Sequence, residues 1–222
     1  MALILSPVEA RALACLVEKS ITTPDYYPLT LNALTAACNQ KSNREPVMQL
    51  DEKDVVRALD SLREKKLAWV VTTTGGRAPK YRHSLPDVYD LTPLQVAVLC
   101  ELLLRGPQTA GELRTRAARL TALAEVGEVQ TTLRELTEWA GSALAVRLPR
   151  QIGQREERYA HALCGAVPAA EAAPAQPAAE PARVAVVAEN ERMAALEARV
   201  KALEAQHEQL RTSFTELAKQ LQ

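Results

Sequence analysis

The chain is poor in the residues that would commit it to chemistry. Its 222 residues hold three histidines, four cysteines and eight glycines. None of His83, His161 and His207 has a sequence-local partner of the kind that builds a metal site or activates a nucleophile. Cys15, Cys38, Cys100 and Cys164 form no CxxC pair, and Cys15 and Cys100 lie in apolar helical stretches where cysteine behaves as a small hydrophobe. Reduced structural thiols are therefore expected, not disulfides or metal ligands. No glycine-rich loop is present to cradle a phosphate. These absences lead to the expectation of no enzyme, no catalytic residue, no metal and no cofactor.

An excess of charge of either sign is missing too. Twenty-seven Lys and Arg balance 27 Asp and Glu, which argues against a protein held to nucleic acid by bulk electrostatics alone and requires any DNA site to be local. No run approaches the roughly 20 apolar residues that span a bilayer, and the N-terminus lacks the charged start and cleavage site of a signal peptide. A cytoplasmic protein with no membrane partner is expected.

What the chain does hold is one small module spelled twice. Ser6-Pro7-Val8-Glu9 opens the first copy and Thr92-Pro93-Leu94-Gln95 the second, each a hydroxyl N-cap, a proline at the first helical position and a carboxylate or amide three residues on. Lys80-Tyr81-Arg82-His83 and Arg158-Tyr159-Ala160-His161 close them alike. The shared Tyr-x-His reads as duplicated packing, with the ring buried and the histidine capping a hairpin. Two tandem domains are expected, over 1–85 and 86–164.

In the first copy a helix runs from Ser6 to about Ser20, with Val8, Ala12, Leu13, Leu16 and Val17 as its apolar stripe. It breaks at Thr22-Thr23-Pro24, and Tyr26-Tyr27-Pro28-Leu29 supplies a short extended stretch. Thr30 starts a second helix that ends near Asn39, and the polar run Asn39 to Pro46 reads as a loop. A third helix from Asp51 buries Val55, Leu59 and Leu62 on one face, with Val56 beside them. Trp69 to Thr73, Gly75-Gly76 and Lys80-Tyr81-Arg82 then form a strand, turn and return strand. This order is that of a winged helix. The second copy repeats it, with helices from Thr92 to Arg105, from the Thr109/Glu112 capping box, and through Val129, Leu133 and Leu136. Its wing runs from Leu144 to Leu148, past Gly153, to Arg158-Tyr159. The expected fold class is mainly α with small β-hairpins.

Residues 165–183 are rich in Ala and Pro, a linker able to extend at about 3.1 Å per residue. Over 184–222, Met193, Val200, His207, Phe214 and Leu221 fall at heptad position a and Leu196, Leu203, Leu210 and Leu217 at d. The strict period favours a coiled coil and a homo-oligomer formed through it; an amphipathic helix folded back on the domains is the alternative.

Four strings are specific: Pro24-Asp25-Tyr26-Tyr27-Pro28-Leu29; Ala37-Cys38-Asn39-Gln40-Lys41-Ser42-Asn43-Arg44-Glu45-Pro46-Val47-Met48; Leu102-Leu103-Leu104-Arg105-Gly106; and Gly111-Glu112-Leu113-Arg114. With them the chain closely resembles the YceH-like family of functionally uncharacterised bacterial proteins, over its whole length. The resemblance implies a tandem winged-helix fold with a C-terminal helical segment. It implies no activity and brings no catalytic residues.

Charge is the remaining guide to function. Opposite the buried face of the first copy's third helix stand Lys53, Arg57, Asp60, Ser61 and Glu64, a mixed set. From Arg63 to Arg82 the balance is basic, with Arg63, Lys65, Lys66, Arg77, Lys80 and Arg82 against Glu64 alone. These six either grip phosphate or merely solubilise an exposed hairpin. Lys41 and Arg44, in the loop before the third helix, either meet phosphate too or belong to a turn whose side chains cap backbone. The second copy shows Gln130, Thr131, Arg134, Glu135 and Glu138, more negative than positive; Arg114, Arg116 and Arg119 on its second helix either offset this or are ordinary solvated helix charges. The leading expectation is a DNA-binding, transcription-regulator-like protein reading duplex DNA with its first winged helix; the alternative is a protein-interaction scaffold.

Overall fold

The computed structural model describes residues 4–72, 78–122, 125–150 and 156–165. The rest of the linker, the heptad segment 184–222 with its seam from Met193 to Leu221, Arg77 with Gly75-Gly76, and Gly153 lie outside the described residues.

Helix α1 (Pro7–Thr22) starts at a full capping box: the Ser6 hydroxyl accepts from the Glu9 amide at 3.2 Å, and the Glu9 carboxylate accepts from the Ser6 amide at 3.0 Å. It runs two residues past the expected end. The Thr22 and Thr23 hydroxyls donate back to the carbonyls of Glu18 and Lys19, prolonging the last turn. A 3-10 turn at Pro24–Tyr26 leads to β1 (Leu29–Thr30), α2 (Leu31–Cys38), α3 (Glu52–Glu64), β2 (Ala68–Val71) and β3 (Lys80–His83). The strands form an antiparallel sheet in the order β1-β3-β2. A five-residue helix, α4 (Leu85–Tyr89), follows; it is too short to leave a periodic signal in the sequence.

The sequence then repeats and so does the backbone. Helix α5 (Pro93–Arg105), β4 (Gln108–Thr109), α6 (Ala110–Ala117), α7 (Val126–Thr137), β5 (Ala145–Arg147) and β6 (Arg158–His161) give a second sheet in the equivalent order β4-β6-β5. The described chain is thus mainly helical with two small antiparallel sheets.

The two copies share one core. An apolar stripe on α1 was the expectation, yet every residue from Glu9 to Glu18 is buried, as is every residue of α5 from Gln95 to Leu104. A helix buried all round has neighbours on all sides: the first copy packs on one flank of α1, and α5 covers the other. The Cys100 thiol donates to the Ala14 carbonyl at 3.5 Å where the helices meet, each residue seven positions past the proline that opens its helix. The Leu5 amide also donates to the Leu163 carbonyl at 2.7 Å, tying the start of the first copy to the end of the second. Cys15, Cys38 and Cys100 are buried free thiols within this core.

Candidate nucleic-acid interface

Helix α3 is held by a second capping box, Asp51 with Asp54, that places carboxylates at its positive end. Val55, Leu59 and Leu62 are buried as expected, and Lys53 and Arg57 stand in solvent. Arg57 lies 3.8 Å from Asp54, and Arg63 donates to Asp60 at 3.1 Å; both pairs are exposed, so each constrains its arginine only weakly. Lys65 is different. Its ammonium donates to Glu9 of α1 at 2.5 Å in a partly buried pair. Burial pushes the Glu9 carboxyl up, but the Lys65 and Ser61 hydrogen bonds outweigh it and hold the group below its ordinary range. Lys65 fastens α3 to α1. Lys66 next to it is exposed, with φ at 60°.

Arg44 must be withdrawn as a phosphate contact. Its side chain is fully buried and grips Glu18 with two hydrogen bonds, Nη1 to Oε1 at 3.2 Å and Nη2 to Oε2 at 2.5 Å. It donates further to the Ala37 and Asn43 carbonyls and to Gln40 Oε1. Glu18 also accepts from Arg119 at 2.7 Å, and Arg119 donates to Glu101 of α5 at 2.7 Å. Arg105 completes the set, 3.6 Å from Glu101 and hydrogen bonded to Asn43 Oδ1. Burial pushes the Glu18 carboxyl up, but the hydrogen bonds and charges of Arg44 and then Arg119 outweigh it and keep it ionised. Arg119 is accordingly no solvated helix charge, and it lies beyond the end of α6.

The loop from Asn39 is likewise a structural clasp. Asn39 both donates to the Leu50 carbonyl and accepts from the Leu50 amide, each at 2.8 Å, while the Glu45 amide donates to the Leu104 carbonyl of α5 at 2.9 Å. Of its two cations only Lys41 is exposed.

In the first sheet, residue pairing sorts the side chains. Ala68 pairs with His83 and Val70 with Tyr81, while Trp69 pairs with Arg82 and Val71 with Lys80. Strand alternation puts these two groups on opposite faces. His83 belongs to the inner one: its amide donates to the Tyr27 hydroxyl at 2.7 Å, its Nε2 lies 3.0 Å from the Ser20 hydroxyl, and its Nδ1 is buried without a partner. Burial lowers its pKa to about 4, against a smaller upward pull from Asp87. His161 matches it, with a buried, unpartnered Nδ1 and a pKa lowered by burial to about 4.

The second copy spends its surface cations differently. Arg147 and Arg150 both reach Glu157, at 3.3 and 3.6 Å, and Arg116 lies 3.7 Å from Glu112. A cleft of about 900 Å³ between α7 and β5 and β6 carries Arg134, Arg147 and Arg150 beside Glu138, Glu156 and Glu157.

A family model described as "Protein of unknown function, DUF480" matches residues 5–154. The chain belongs to this family. It is 55% identical over 201 residues to a UPF0502 protein of Geotalea uraniireducens, covering 90% of each chain. It is 56% identical over 200 residues, again 90% of each, to one of Geobacter metallireducens, and 58% identical over 165 residues, 74% of each, to one of Pelobacter propionicus. The DUF480 match agrees with the YceH-like resemblance.

Within this DUF480 chain the recognisable strings meet in space. The Asn43-Arg44-Glu45 segment of one docks on Leu104 and Arg105 of another. Glu18 and Glu101 are absent from the sequence reading, although one signal was present: each interrupts or ends a long apolar helical run, where a carboxylate needs a buried cation. Among the described residues there is no cluster able to hold a metal and no helix long and apolar enough to cross a membrane.

Proposed function

We propose that this chain is a DNA-binding protein of transcription-regulator type, built on two winged helices in tandem, in which only the first grips duplex DNA. The observation that carries the proposal is the distribution of free cations. In the first copy Lys41, Lys53, Lys66, Lys80 and Arg82 take part in no ion pair among the described residues, whereas the wing arginines of the second are held by Glu157. Unpaired cations release counterions on meeting phosphate; the exposed pairs of the second wing hold their arginines only weakly, but Glu157 sets a negative charge beside them that phosphate would meet. Under this reading α3, with its mixed outer face, lies toward the major groove, and Lys66, Lys80, Arg82 and Arg77 hold the backbone that fixes its register. The heptad segment 184–222 joins copies of the chain in the cytoplasm, as suits a reader of two half-sites.

A labelled duplex titrated with the full chain tests this by anisotropy: binding at about 50 mM salt should weaken steeply by about 200 mM. Absence of binding at low salt overturns it. A second reading, a protein-docking scaffold, is favoured by the mixed-charge cleft beside α7. A stoichiometric, nuclease-resistant protein partner of a chain that ignores DNA would select that reading.

A further inference from the structure

Trp69 is left unused by the duplex reading. It is one of two tryptophans in the chain, and at 48% exposure it stands on the outer face of the first sheet. A tryptophan in solvent leaves a large apolar surface uncovered, and of its neighbours on this face only Val71 is apolar. Arg82 is its cross-strand partner, and Lys80, two residues along and paired with both Val71 and Thr30, shares its face. The indole is tethered by its edge: its Nε1–H donates to the Ser84 hydroxyl at 3.1 Å, and that hydroxyl donates to the Lys66 carbonyl at 2.6 Å. The bond fixes the ring by its edge, and about half of the residue stays in solvent. Asp87 of α4 acts on His83, on the opposite face.

We propose that this face is a stacking platform for an unpaired nucleobase of single-stranded nucleic acid, with Trp69 under the base and Arg82 and Lys80 on the flanking phosphates. An edge-held aromatic beside unpaired cations is the combination that single-strand binders use, and stacking serves every base alike. A protein hot spot would also use tryptophan and arginine, but interface cores exclude lysine and surround the aromatic with apolar side chains. This surface offers two cations and a single valine, Val71. The inference rests on reading the first hairpin as a nucleic-acid surface, and it changes the strand state that is bound.

The experiment titrates the full chain with an oligo-dT of about 15 nucleotides and, separately, with a blunt duplex, following both label anisotropy and intrinsic tryptophan emission. Oligo-dT should quench emission. Trp69→Ala should lower dT affinity roughly 5- to 100-fold and leave duplex affinity unchanged. Trp69→Phe, which keeps an aromatic surface, should retain part of the dT binding while losing the quench; Arg82→Ala, an exposed change that breaks no side-chain hydrogen bond or ion pair among the described residues, should weaken dT binding with the tryptophan intact. Binding of dT without quenching, or equal losses of dT and duplex affinity in Trp69→Ala, overturns the platform. Trp69-dependent dT binding without duplex binding keeps the platform and overturns the duplex reading; duplex binding without dT binding does the reverse, and binding of neither overturns both.

Discussion

The Arg119 guanidinium of the second copy donates to the Glu18 carboxylate of the first at 2.7 Å, across 101 residues of sequence. Glu18 is also the only carboxylate that Arg44 reaches by hydrogen bond among the described residues. Replacing it with glutamine would leave the buried Arg44 guanidinium without a counter-charge and Arg119 with Glu101 alone. Glu18→Gln should therefore destabilise the chain by about 3–5 kcal/mol in urea unfolding, whereas breaking the exposed Arg63–Asp60 pair should cost about 0–1 kcal/mol.

A shared core also predicts shared unfolding. Trp69 reports on the first copy and Trp139, packed against the core, on the second. In Trp139→Phe and Trp69→Phe chains the two fluorescence transitions should coincide. Leu99→Ala, which empties a fully buried position on α5, should shift both together by about 2–5 kcal/mol. Two separated transitions would mean that the copies are independent.

What could be read from the sequence was what is local. The capping boxes at Ser6/Glu9, Thr92/Gln95 and Thr109/Glu112 involve residues three apart, and all three are present. The buried stripes of α3 and α7 were legible for the same reason, since a helix shows its period within a few turns. The roles of Arg44 and Lys65 were not. Whether a cation meets phosphate or a buried carboxylate depends on Glu18, 26 residues from Arg44, and on Glu9, 56 residues from Lys65. The second buried face of α1 was hidden likewise, because its packing partner is the other copy.

The two strand-end histidines predict a pH dependence. Burial lowers the pKa of His83 and of His161 to about 4, so the folded chain keeps both neutral while the unfolded chain, with ordinary values near 6.5, binds protons first. Stability is then full above about pH 6.5 and is lost as pH falls toward about 4, with a slope approaching one proton per histidine. His161→Gln should flatten that slope in urea melts taken across the range. An unchanged slope would show that His161 is protonated in the folded chain.

The division of labour between the two copies is tested most directly by the salt dependence of duplex binding. The account predicts that log Kobs falls linearly with log salt in the full chain, and that Lys66→Ala, Lys80→Ala and Arg82→Ala each reduce the slope by about 0.9. Arg147→Ala and Arg150→Ala, which remove cations already held by Glu157, should leave it unchanged. Equal effects from the two wings, or a slope insensitive to the first, would contradict it.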